Sequence, residues 1–146
     1  MSPFDCVVDA SVGIKLFLIE EHSAAADQLF EGLAANPPAR FYVPDLFFVE
    51  CANILWKYVR YHGYAAESAR QDIAALQTLR LRGVPTQNLL APALELAISH
   101  DLTAYDACYA ALARELNLPF ISADSRLLQK LGKSGVDGRF IEELSR

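Results

Sequence analysis

Three apolar residues, Cys6, Val7 and Val8, run without a break into a carboxylate at Asp9, and the stretch from Phe4 to Val12 around them constrains the fold more than any other. A short, mostly β-branched run of this kind suits a central strand covered on both faces. From Ala10 to Leu18 the apolar spacing turns helical. Asp9 therefore stands at the carboxyl end of a first strand. In open α/β sheets that edge is where ligands bind, at the point where strand order reverses.

With 146 residues, 53% of them hydrophobic, the chain has enough apolar material for one well-buried core, so residues 1–146 read as a single domain. Its net charge of -5 argues against coating nucleic acid or membranes through bulk positive charge. Any RNA or DNA partner has to be held locally, by a patch or by metal ions. Cys6, Cys51 and Cys108 are too far apart for a paired motif and each sits in an apolar stretch, which makes them small core residues of a protein in a reducing cytoplasm. Neither a signal peptide nor a membrane span is visible.

The spacing predicts a helix from Ser11 to Leu18 and another from His22 to Ala35, ended by Asn36-Pro37-Pro38. Phe41 to Val43 reads as a second strand stopped by Pro44, with Asp45 as the N-cap of a long apolar helix from Leu46 to about His62. Glu50 interrupts that helix too far in to act as a cap, and burying it unpaired would be costly. Helical spacing sets Asn53, Lys57 and Arg60 on its side of the rod, so Glu50 either faces water on a polar stripe or belongs to a site.

After Gly63, Ala65 to Leu81 makes a partner helix, Val84 to Thr86 a brief extended piece, and Leu89 to Ser99 a further helix. Thr103 to Asn117 opens on a capping box, which gives Asp106 an ordinary structural reason to be there. Pro119 to Ser122 is another buried strand, followed by Asp124, which also suits the N-cap of a helix from Ser125 to Leu131. Val136 to Ile141 forms a weak last strand or a loop, and Glu142 to Arg146 a tail.

Each acid has its own explanation, yet Asp9 and Asp124 follow apolar strands in the same way. Parallel strands put both at one edge, and right-handed crossovers bring the following helix N-termini and the Asp106 turn to it. Such acids repel: at ~5 Å and an effective dielectric of ~20, each pair costs roughly 3 kcal/mol. A cluster of three or four needs a cation, and all-oxygen ligands select Mg²⁺ or Mn²⁺, with a substrate phosphate able to complete the coordination.

Four elements, in this order and spacing, resemble the PIN-domain ribonucleases, and within them the toxins of the VapC type. They are the strand with Asp9-Ala10-Ser11-Val12, Pro44-Asp45 before the helix of Glu50 to Lys57, Leu102 to Ala107, and Phe120 to Asp124 with Leu127 and Leu128. The resemblance implies that Asp9, Glu50, Asp106 and Asp124 are catalytic and hold Mg²⁺ or Mn²⁺, with Ser11 and Ser122 supporting the site. It implies an α/β three-layer sandwich, a mainly parallel sheet of four or five strands flanked by helices. It further implies a homodimer inhibited by a cognate antitoxin whose segment enters the groove. Some relatives carry a further acid shortly after the position of Asp124, where Ser125 and Arg126 stand here, a departure that bears on whether one metal ion is held or two.

The expected reaction is metal-assisted hydrolysis of an RNA phosphodiester, which needs no side-chain nucleophile. His22, His62 and His100 lie outside all four acidic elements. Asn53, Lys57 and Arg60 either extend the site and contact phosphates or form a solvated stripe. Trp56, Tyr58 and Tyr61 are a candidate dimer or antitoxin surface, or core. Rival readings are a phosphatase that takes a phosphoryl group onto Asp9, though Ser11 stands where its second acid is expected, and a receiver domain, though Asp9 lacks an acidic neighbour and the middle strand ends at Pro44 rather than a phosphoacceptor Asp. A third is a PIN-like domain that binds RNA or protein without cleaving it.

Overall fold

The computed structural model describes residues 4–145, so the end of the expected tail at Arg146 lies outside the described residues. Five strands form one sheet: β1 (Cys6–Val8), β2 (Phe41–Pro44), β3 (Leu81–Val84), β4 (Phe120–Ser122) and β5 (Gly138–Phe140). Their order is β3-β2-β1-β4-β5 and every neighbouring pair is parallel. The helices are α1 (Ala10–Gly13), α2 (Ser23–Phe30), α3 (Leu46–Tyr61), α4 (Ala66–Thr78), α5 (Leu90–His100), α6 (Ala104–Leu116) and α7 (Ser125–Lys130). The expected α/β architecture is present, with five strands and no antiparallel pair among the described residues.

The sheet grows from β1 to β2 and β3 in one direction, then returns to β4 and β5 on the other side. Right-handed crossovers running in opposite directions put their helices on opposite faces. Both faces of β1 and β4 are thereby covered, and each of their residues is buried. From Ala107 to Ala113 the α6 helix is buried at every position, five of the seven residues being alanine or cysteine. Small side chains let this central helix lie close to the sheet, in contact with β1, β2 and β4. Cys6, Cys51 and Cys108 are free and buried.

Several local expectations need correction: the helix expected from His22 to Ala35 ends at Phe30 and continues as a 3₁₀ turn, Glu31–Ala34, and the expected tail is a 3₁₀ helix over Ile141–Ser145. The helix expected to reach Leu81 ends at Thr78, because Leu79 takes an extended conformation with ψ 142° and residues 81–84 join β2 as the edge strand. An edge strand tolerates Arg82 and Gly83, since one of its sides stays unpaired. Asp45 occupies the N-cap position of α3 but makes no capping bond; its carboxylate accepts the Thr86 N–H at 2.9 Å, while the Thr86 hydroxyl accepts the Leu46 N–H at 3.1 Å. The cap of α3 thus comes from a residue 40 positions on.

The helix expected from Ser11 to Leu18 is split into α1 and a 3₁₀ turn, Ile14–Leu16. At this join the chain passes close to α3: a Cβ on Gly13 would lie 2.6 Å from Cζ of Phe47. Among the described residues no helix is long and apolar enough to cross a membrane.

Candidate functional site

The strand order reverses between β1 and β4, and the site grows from their adjoining carboxyl ends. Val8 pairs with Ile121, so the next residues, Asp9 and Ser122, come side by side. The Ser122 hydroxyl donates to Oδ2 of Asp9 at 2.6 Å. Oδ1 accepts the Ser11 hydroxyl at 2.5 Å and the Val12 N–H at 3.2 Å. Both serines also accept from the turn after β4: Ser11 Oγ from the Ala123 N–H at 3.1 Å, and Ser122 Oγ from the Asp124 N–H at 3.0 Å. A serine hydroxyl has one hydrogen, so these acceptor bonds leave each hydrogen aimed at Asp9.

Asp9 is 6% exposed. Burial raises its pKa to about 6, against the opposing pull of Ser11, Ser122 and the Val12 N–H, and the charge of Asp106 adds to the rise. Glu50 is half-buried, so it does not simply face water on a polar stripe. Its Oε1 accepts a 2.5 Å hydrogen bond from the hydroxyl of Tyr109. Burial raises the Glu50 pKa, Tyr109 lowers it, and the charge of Asp106 raises it again.

Asp106 lies in the first turn of α6, where its N–H donates to the Thr103 hydroxyl at 3.1 Å, so the expected N-cap is formed. Its own pKa is raised by burial and then by the charge of Asp124, and lowered by Thr103 and Lys130. Asp124 is exposed and caps α7, accepting the Leu127 N–H at 3.1 Å. Structural duty and site geometry therefore coincide at these acids: Asp106 lies within electrostatic reach of the other three.

This donor set fits a hard divalent cation. The carboxylates are linked by repulsion, and the only basic side chain among the described residues that eases Asp9, Glu50 or Asp106 is Lys130, acting on Asp106. A cation among them would relieve both burial and repulsion. As they stand, no group of three or more His, Cys, Asp or Glu among the described residues is placed to hold an ion.

Asn53 and Lys57 line a groove of about 400 Å³ beside Glu50, together with Tyr105. Arg60 does not line it; its guanidinium lies over the Tyr61 ring, 5.4 Å from the centroid. Trp56 and Tyr61 are exposed, whereas Tyr58 is partly buried and donates to Glu20 at 2.8 Å. The residue that sequence reasoning missed is Tyr109. It lies three positions after Asp106 on the same helix, within a run of buried residues, and a buried tyrosine hydroxyl needs a partner.

Comparison with known proteins identifies the family and the fold. The family model of the PIN domain matches residues 6–133. Ribonuclease VapC3 of Pyrobaculum aerophilum is 31% identical over 126 residues, covering 85% of this chain and 92% of that protein. Two solved structures share the fold. VapBC2 from Rickettsia felis, bound to a DNA fragment from its promoter, superposes with a TM-score of 0.68 at 10% identity, covering 94% of this chain and 98% of that one. The sarcin-ricin loop cleaving toxin VapC20 of Mycobacterium tuberculosis does so with a TM-score of 0.64 at 18% identity, covering 85% and 93%.

Proposed function

Because the chain belongs to the PIN domain family, we propose that it is the ribonuclease toxin of a toxin–antitoxin pair, a hydrolase that cuts RNA phosphodiester bonds with Mg²⁺ or Mn²⁺. One observation carries the reading: Asp9 and Asp124 stand beside the edge where the strand order reverses, and Asp106 lies within electrostatic reach of Asp9, Glu50 and Asp124. The ribonuclease relative and the toxin neighbours support the same substrate and setting. One sheet and one hydrophobic core support a single PIN-like domain over residues 1–146.

In this reading Asp9, Glu50, Asp106 and Asp124 hold the ion, and Ser11, Ser122 and Asn53 support them. Bound there, the cation offsets charge on the scissile phosphate and acidifies the attacking water. Ser11 and Ser122 hold Asp9 in place and offset part of the burial that raises its pKa. Tyr109 occupies Oε1 of Glu50, which leaves Oε2 for the site. Lys57 contacts the RNA backbone along α3, with Arg60 one turn further on. Transfer of a phosphoryl group to Asp9 fits poorly, because Ser11 stands two positions on, where the acid/base carboxylate of such an enzyme is expected.

The expected partners are a cognate antitoxin and a second copy of the chain. Apolar side chains at one-turn spacing on α5, with Leu90, Leu94 and Ile98 exposed by 52%, 55% and 71%, support a homodimer. Exposed Trp56 lines an apolar groove between α3 and α4 that supports a protein partner. The three free, buried cysteines support a cytoplasmic setting.

The deciding experiment incubates purified protein with mixed RNA and Mn²⁺ or Mg²⁺, with chelator, and as Asp9→Asn. The expected result is cleavage that chelator abolishes and that Asp9→Asn reduces by more than about 100-fold, beyond the loss usual for groups one step removed from a metal. Cleavage surviving both treatments would sink the metal-ribonuclease reading.

A further inference from the structure

A cavity of about 440 Å³ opens beside Asp106 and Asp124, and its lining also includes Arg126 and Lys130. These two cations stand four residues apart on α7, hence on one flank of the helix and about 6 Å apart along its axis. Lys130 is held in place: its Nζ donates to the main-chain carbonyl of Asp101 at 2.9 Å and lies 3.7 Å from that residue's carboxylate. Arg126 is not tethered in this way. It is exposed, and among the described residues it has neither an ion pair nor a hydrogen bond, although Asp101, Asp106 and Asp124 line the same cavity.

An arginine that shares a cavity with three carboxylates and pairs with none is available to an incoming anion. A planar guanidinium and an anchored ammonium at one-turn spacing suit phosphate oxygens, the first as a two-pronged donor and the second as a point charge. The α3 stripe offers less, since Arg60 is turned onto Tyr61 and Lys57 alone lines the groove there. We propose that the cavity walled by Arg126 and Lys130 is a phosphate subsite, which holds an RNA phosphodiester next to the one being cut. The strand then runs from the four acids across α7. This subsite rests on the ribonuclease reading and adds to it a direction for the substrate.

The test uses the full chain with Mn²⁺ and a short single-stranded RNA, and measures KM and kcat over a salt series for wild type, Arg126→Gln, Arg126→Lys, the Arg126→Gln/Lys130→Gln double variant and Lys57→Gln. Arg126 makes no bond within the described residues, so its glutamine variant should melt at the wild-type temperature. The expected result is a KM raised roughly tenfold by Arg126→Gln, the size of one charged hydrogen bond, and raised further in the double variant, with kcat little changed. The salt dependence of KM should fall by about 0.7 in log–log slope for each single-strand phosphate that the variant no longer neutralises. Arg126→Lys should retain the slope. If Arg126→Gln and the double variant cleave with wild-type KM and slope, the subsite is wrong and the ribonuclease reading stands. If the wild type neither binds nor cuts RNA, both fall.

Discussion

Asp9, on the strand wall of the site, is buried with three donors on its two oxygens, whereas Glu50 and Asp106, on the helix wall, are half-buried and Glu50 has a single strong bond. The strand wall is fixed by main chain: its two serines are oriented by the turn after β4, and that turn is fixed by strand pairing. The helix wall depends on side chains that can rotate. One wall is therefore held by main chain and the other by side-chain bonds. This contrast accounts for a set of acids close enough to repel one another yet not already arranged around an ion.

The strongest test of the contrast is the pH dependence of stability without metal. Burial lifts Asp9 from 3.8 to about 6 in the folded protein, so between those values the native state binds more protons than the unfolded chain. Its contribution to stability is complete below about pH 3.8 and is lost as pH rises through about 6, roughly 3 kcal/mol in all. Denaturation in chelator should show stability falling from pH 4 to pH 7.5, and Asp9→Asn should remove the largest share of that fall. Mn²⁺, which competes with protons for carboxylates, should stabilise the wild type more at pH 7.5 than at pH 5. An identical pH slope in wild type and Asp9→Asn would mean that the strand wall does not set it.

A smaller effect is expected on the helix wall. Tyr109→Phe should weaken Mn²⁺ binding by about 10- to 100-fold, as partners of metal-binding groups do, with metal-free stability reduced by only about 1 kcal/mol. Titration calorimetry would read the first and urea melts the second. Unchanged Mn²⁺ affinity would show that Glu50 finds its position without the tyrosine. Smallest in its effect on Mn²⁺ binding is Gly13→Ala, where the two walls meet. Its methyl would press Cζ of the buried Phe47 ring, an atom that ring rotation leaves in place, so an overpacking loss of about 1–3 kcal/mol is expected. Mn²⁺ affinity should drop with it, since α1 and α3 carry the spacing of Asp9 and Glu50.

The strand wall was legible in the sequence and the helix wall only in part. A strand buried on both faces is largely apolar, so an acid directly after Cys6-Val7-Val8, or one residue beyond Phe120-Ile121-Ser122, declares itself. Glu50 gave no such signal, because helical spacing sets out its neighbours on α3 and says nothing of which helix lies opposite. That helix is α6, and Tyr109 reaches Glu50 across 59 positions of sequence. The start of β3 was hidden by the helical spacing of Ile73, Leu76 and Leu79, which runs on into Leu81. Thr86 as the cap of α3, and Arg126 with Lys130 around one cavity, likewise depend on long-range packing.

The pairing of Val8 with Ile121 carries a consequence for how the chain tolerates changes in length. Side chains alternate faces along a strand, so one residue inserted into β1 or β4 slips the register and turns Asp9 away from Ser122. The surface connections carry no such restriction: an added residue between α4 and β3, or after α7, is absorbed at small entropic cost. Chains that keep this site can therefore vary widely in their loops while holding two three-residue segments, 6–8 and 120–122, at constant length.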